Sequence, residues 1–190
     1  MKKITLDYAL KVRLPITIFI IIIAFTSTYF ISRPERDSIG YAPEQPIKFS
    51  HKLHAGKMSI DCQYCHTNVE KGRFATIPSP GICMNCHSIA RADKPEIIKL
   101  TKYYKEKQPI PWKRVHKVPD YAYFNHSVHV NKRIDCKNCH EDVTKLDVIA
   151  QLHSFTMANC LNCHRNALAR LPEIKEEIKK GPDNCWACHR

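Results

Sequence analysis

Outside one N-terminal segment the sequence is short of aliphatic side chains. Roughly 160 residues follow that segment, too poor in core-forming groups for aliphatic packing alone to hold a domain of their size. Glycine is scarce, at five residues, strand-like alternation is nearly absent, and no cysteine falls outside a regular spacing. The weak core excludes a conventional apolar interior. The missing strand patterns leave a mainly α architecture with much irregular backbone. Disorder is excluded by the cysteines, whose fixed spacing implies a covalent or metal framework. In excess are 10 Cys and 11 His among 190 residues, and 30 Lys plus Arg against 18 Asp plus Glu, a formal charge of +12.

The aliphatic residues are gathered in Leu14 to Ile31, LPITIFIIIIAFTSTYFI, a run without a charge. As a helix it reaches roughly 27 Å, about one bilayer core. It is longer than the apolar stretch of a cleaved leader and no clear small-x-small cleavage site follows it, so a retained anchor starting at Met1 is expected. Lys2, Lys3, Lys11 and Arg13 precede the run against Asp7 alone. By the positive-inside rule the N-terminus is cytoplasmic, and everything from Arg33 onward lies outside the cytoplasmic membrane.

The ten cysteines form five pairs, each followed by histidine: Cys62/Cys65-His66, Cys83/Cys86-His87, Cys136/Cys139-His140, Cys160/Cys163-His164 and Cys185/Cys188-His189. C-x-x-C-H is the attachment site of c-type haem, in which two thiols form thioethers to the haem vinyl groups and the next histidine reaches the iron. Zinc ribbons also use C-x-x-C. Five histidines in five such positions would arise by chance about once in 10⁶, and export suits haem attachment. Five covalently attached haems c are therefore expected, with the chain wrapped around them in place of an aliphatic core. Their propionates would lower the formal charge to about +7 oxidised and about +2 reduced. The surplus Lys and Arg thus reads as charge compensation on a solvated face, not as a nucleic-acid surface.

Six histidines lie outside the motifs, and four form a repeat. Phe49-Ser-His51-Lys-Leu-His54 precedes Cys62, Phe124-Asn-His126-Ser-Val-His129 precedes Cys136, and a second C-x-x-C-H follows in each copy. Histidines three apart on a helical turn project to neighbouring positions on one face, so one can enter each of two adjacent haems. The spacing assigns His51 to the iron of His66, His54 to that of His87, His126 to that of His140 and His129 to that of His164. For the fifth haem the distal ligand must come from upstream of Cys185, with His116 the first candidate and Met157 and His153 the alternatives. Met58 and Met84 read as packing residues.

These patterns divide the chain into an N-terminus and anchor (1–32), a linker (33–48), a dihaem module (49–92), a connecting helix with a Pro-rich segment (93–121), and a trihaem module (122–190). The connecting helix spans 93–107 with Ile97, Leu100 and Tyr104 on one face, stopped by Pro109 and Pro111. A second short helix, Pro172 to Lys180, is closed by Gly181-Pro182.

The F-x-H-x-x-H plus C-x-x-C-H modules resemble the class III cytochromes of the c3 and c7 type. The whole chain, with its anchor, five motifs and segments such as IPSPGICMNCH and PWKRVHKVPDYAYFNHSVHV, resembles the pentahaem cytochrome subunit of alternative complex III, a bacterial quinol-oxidising assembly. That resemblance implies an electron-transfer subunit, not an enzyme in itself, carrying electrons toward a periplasmic cytochrome or terminal oxidase. It also implies partners: polytopic quinol-oxidising membrane subunits, an iron-sulfur subunit and a monohaem cytochrome. Small multihaem quinol dehydrogenases that feed periplasmic reductases share the anchor but not the module, and the methionine two residues after their first haem-binding histidine has no counterpart here. Pentahaem nitrite reductases keep one C-x-x-C-K site with an open iron, whereas all five motifs here end in histidine.

Overall fold

The computed structural model describes residues 7–171 and 180–189, with no side-chain description for 32–37, and divides into two units, Met1–Ser38 and Ile39–Arg190. In the first unit a π-helical turn, Ala9–Arg13, runs into helix α1, Leu14–Asp37. Ala9–Ile31, 23 residues long, contains an apolar window of mean hydropathy 2.2 and is a candidate membrane anchor by length and composition. The Thr17 hydroxyl donates to the Arg13 carbonyl at 2.9 Å and that of Thr26 to the Ile22 carbonyl at 2.8 Å. Both hydroxyls are thereby satisfied by their own helix, as an apolar solvent requires.

The second unit is built from short helices and no strand among the described residues. In order they are a π-helical turn Lys52–Lys57, α2 Cys62–Cys65, α3 Pro80–His87, α4 Pro95–Lys105, α5 His126–Val130, α6 Lys137–His140, a 3₁₀ turn Val143–Lys145, α7 Met157–Arg165, α8 Ala167–Arg170 and α9 Cys185–Cys188. The segment expected as a helix over Pro172 to Lys180 lies outside the described residues, apart from Lys180.

Among the described residues the buried apolar side chains are Ile47, Leu100, Ile110, Ala167 and Leu171. Ile47, Leu100 and Ile110 form one cluster, with Cys83, Met84, Ile97, Tyr103 and Trp112 packed against it. Helix α4 supplies its centre and is two residues shorter at each end than the pattern suggested. Pro95 opens it, and Lys107, at φ +54°, turns the chain left-handed beyond the last turn, before Pro109. Ile97 and Leu100 take the inward face as expected, but Tyr103 packs on the cluster while Tyr104 is exposed. Both lie one turn beyond Leu100, at i+3 and i+4, and periodicity alone does not choose between them.

Polar side chains close the gaps that so small a core leaves. Gln45 donates to the Lys113 carbonyl and accepts from the Lys113 amide, each at 2.9 Å. Gln151, buried, joins Gly40 and Tyr41 through its backbone and accepts from the Lys117 amide through its side chain. Glu96 on α4 accepts from the Lys99 ammonium and the Lys48 amide, which hold its carboxyl below the usual range. The π-helical turn and the 3₁₀ turn meet at Gly56, where a Cβ would stand 2.3 Å from the Thr144 carbonyl oxygen. Truncating the cluster tests how much this small core contributes. Leu100→Ala should destabilise the protein by about 2 to 5 kcal/mol and lower its thermal midpoint, while Ile98→Ala on the exposed face should stay within about 0.5 kcal/mol.

Candidate functional site

Each F-x-H-x-x-H copy is organised by its phenylalanine. The Phe49 ring stacks on His54 at 4.4 Å between centres and meets His51 edge-on at 4.8 Å; Phe124 does the same to His129 at 4.6 Å and to His126 at 4.8 Å. The geometry repeats although the first copy lies on a π-helical turn and the second on α5. Sequence reading left these phenylalanines without a role; their repetition at a fixed offset was the available signal.

The histidines so oriented face motif histidines. His54 and His87 have ring centres 6.1 Å apart, His129 and His164 6.1 Å, and His126 and His140 6.3 Å with planes 3° from parallel. Two opposed imidazoles each bonded to one metal atom at roughly 2 Å hold their centres about 6 Å apart. His51 neighbours His66, whose charge adds to burial in pushing the His51 imidazole down to about 4. Burial, with the charge of His116 next, pushes His140 down to about 3. Both rings are neutral at physiological pH, the form that can bind a metal.

The other ring nitrogen is fixed as well. Nδ1 of His54 donates to the Ser50 carbonyl, His66 to Thr76, His87 to Ala90, His126 to Arg73, His129 to Asn125, His164 to Pro182 and His189 to Tyr121. A carbonyl only accepts, so in all seven the proton is on Nδ1 and Nε2 is the free donor. Thr76 presents its carbonyl from φ +63°, a conformation a β-branched residue rarely adopts, which places local strain beside His66. Nδ1 of His51 is buried and has no hydrogen-bond partner among the described residues.

The cysteines of the first, third and fifth motifs sit in single turns started by a carboxylate or amide. Asp61 accepts from the Gln63 amide, Asp135 from that of Lys137 and Asn184 from that of Ala187. The second and fourth motifs lie in the longer α3 and α7. All ten cysteines are described and none forms a disulfide. Among the described residues no group of three or more His, Cys, Asp or Glu is arranged to hold a metal ion by itself, as a zinc ribbon would be.

The candidates for a fifth distal ligand are scattered. His116 packs edge-on against His140, 4.5 Å between centres, and against Phe155. His153 Nε2 is bound to the Glu141 carboxylate at 2.9 Å. Met157 opens α7, is 64% exposed and lies one turn before Cys160. The ring beside His189 is that of Tyr121, at 5.9 Å.

Residues 122–190 match the family of cytochrome c7 and related cytochrome c, and residues 27–117 match the class III cytochrome C family. The chain is 30% identical, over 77% of its own length and 77% of the relative's, to the menaquinone reductase multiheme cytochrome c subunit of Nitratidesulfovibrio vulgaris. The chain belongs to the multihaem c-type cytochromes. The opposed imidazoles, with Nδ1 committed to backbone carbonyls at His54, His87, His126, His129 and His164, fit haem c, with C-x-x-C-H cysteines as the thioether donors. The cytochrome holds one of these histidines by close backbone approach. A Cβ on Gly181 would lie 2.8 Å from the His164 ring, while the Gly181 amide donates to the His164 carbonyl at 2.7 Å. Gly181→Ala should displace that ring and produce a high-spin fraction at a single haem in the absorption and paramagnetic resonance spectra. Gly81→Ala, whose Cβ has 3.7 Å of room, should leave both spectra unchanged.

Proposed function

We propose that this cytochrome binds five haems c and relays single electrons between quinone-reactive subunits of a membrane complex and a redox protein outside the cytoplasmic membrane. The observation that carries the reading is the opposition of His54, His126 and His129 to motif histidines at a separation suited to one iron between each pair. Bound haem supplies one-electron iron chemistry. The chain's own residues hold the imidazoles in place and present a docking surface.

The candidate anchor and the name of the relative support the quinone link. One span does not enclose a quinone pocket, so polytopic neighbours hold it. The positive charge before Leu14 supports a cytoplasmic N-terminus and a haem domain on the outer side. The segments resembling alternative complex III favour electrons leaving quinol for an exported or terminal acceptor, with an iron-sulfur subunit and a monohaem cytochrome as companions. A second reading, favoured by the relative's name, runs the same relay inward to reduce a quinone. Purifying the intact complex and mixing it with quinol or with reduced soluble cytochrome separates the two by which addition reduces the haems first.

For ligation we propose His51 opposite His66, His54 opposite His87, His126 opposite His140, and His129 opposite His164. For the fifth iron, with His189, we propose Met157 in preference to His116 and His153. Met157 precedes Cys160 by one helical turn, and the Cys160 thiol neighbours that of Cys188. His116 is packed on His140 and His153 is engaged by Glu141.

Alkaline pyridine spectroscopy should count five covalent haems per chain; four or fewer in matured protein, or stoichiometric zinc, overturns the reading. Met157→Ala should create one high-spin, carbon-monoxide-binding haem and remove the weak near-infrared thioether-to-iron band. His116→Ala and His153→Ala should leave all irons six-coordinate. Carbon monoxide binding to one haem of the unaltered protein would show an open iron and revive a catalytic role.

A further inference from the structure

The five C-x-x-C-H motifs are joined in space in an order that differs from their order in the chain. The second motif touches the first directly: Asn85, between Cys83 and Cys86, donates to the hydroxyl of Tyr64, between Cys62 and Cys65, at 2.9 Å. The first motif lies beside the third, with Cys62 a neighbour of Cys136. The segment after the first motif also grips the third motif's F-x-H-x-x-H, with the Arg73 carbonyl accepting from His126 Nδ1 at 2.8 Å and the Glu70 carbonyl accepting from Asn131 at 3.1 Å. His126 and His129, three residues apart on α5, then face His140 and His164 and so tie the third motif to the fourth. The fourth is tied to the approach to the fifth, where Gly181 donates to the His164 carbonyl and Arg165 pairs with Asp183 at 3.6 Å.

The thiols agree with this sequence of contacts. Cys65 neighbours Cys83. Cys163 is first among the cysteines beside Cys139, and Cys188 is first beside Cys160.

The geometry points to one unbranched relay in the order second, first, third, fourth, fifth motif, with the haems of His87 and His189 as its two terminal electron ports. This rests on the proposed haem-binding reading and adds to it the path and its exits. The order follows from how the histidine pairs are used: each pair couples the two motifs of its own module, so the modules join through their first motifs and the second motif is left at one end. Each port carries an exposed apolar side chain beside its histidine, Ile89 at 89% and Trp186 at 80% exposure. Single electrons enter at one port from a one-electron donor and leave at the other to a one-electron acceptor, so each haem returns to its starting state.

The test is the pattern of iron positions in the intact, haem-loaded protein, located by electron cryomicroscopy or by scattering at the iron edge. The four shortest iron-to-iron separations should join the haems of His87 and His66, His66 and His140, His140 and His164, and His164 and His189. If five irons are found with the His87 haem nearest the His140 or His164 haem, or the His189 haem nearest any but the His164 haem, the order is overturned and the relay stands. Fewer than five irons would instead overturn the reading on which the order rests. A second measurement uses His129→Met, which should raise the potential of the His164 haem. The potentials of the His140 and His189 haems should then shift and that of the His87 haem should not; a shift at His87 equal to that at His140 overturns the order.

Discussion

The larger unit depends on one recurring interaction, a backbone carbonyl accepting from histidine Nδ1. It fixes the tautomer, sets the plane of the ring and leaves Nε2 as the donor, all without a second charged or polar side chain. A single neutral hydrogen bond adds only about 1 kcal/mol net, so the importance of these seven bonds lies in direction more than in stability. His140 has no such carbonyl among the seven; burial and the neighbouring His116 push it down to about 3.

Where the carbonyl comes from a distant segment, as for His126, His164 and His189, orienting a histidine also closes the fold. Arg73 is the clearest case. Its carbonyl takes both the amide and Nδ1 of His126, its guanidinium donates to the carbonyls of Phe124 and Ala122, and it lies 3.9 Å over the Tyr123 ring. One residue after the first motif therefore sets the entry of the second module, stacking and hydrogen bonding at once. Tyr121 and Tyr123 continue the same edge, receiving His189 Nδ1 and donating to the Cys188 carbonyl. With so few buried aliphatic side chains, such doubly used segments carry the connection between modules.

What was legible in the sequence followed from side-chain identity and spacing. The five motifs, the F-x-H-x-x-H repeat, helix α4 and the lack of strands were all visible, since cysteine, histidine, proline and apolar periodicity mark them directly. The carbonyl partners were not, because every residue has a carbonyl and nothing in Thr76, Pro182 or Tyr121 marks it as an acceptor for a histidine. Gly181 and Pro182 illustrate the difference. They read as a helix stop, and in the structure they also hold His164, which depends on a contact eighteen positions back. His116 shows the same difference. Its place in the sequence makes it the first candidate for the fifth haem, and nothing there marks the contact of its ring with His140.

The motifs alternate in a way that bears on the unpaired fifth site. The first and third sit in single turns opened by Asp61 and Asp135, and their neighbours in the H-x-x-H pairs are the leading histidines, His51 and His126. The second and fourth sit in the longer helices α3 and α7, and they face the trailing histidines, His54 and His129. The fifth motif, in a single turn opened by Asn184, has the form of a leading site. Each leading site has beside it the first histidine of an F-x-H-x-x-H segment lying a few residues upstream, and the stretch before Cys185 contains no histidine after His164. Under the proposed ligation, the fifth site is the opening half of a third module without its histidine pair, and its second ligand is borrowed from an element that serves another site. Helix α7, which brings the fourth motif beside the fifth, begins at Met157.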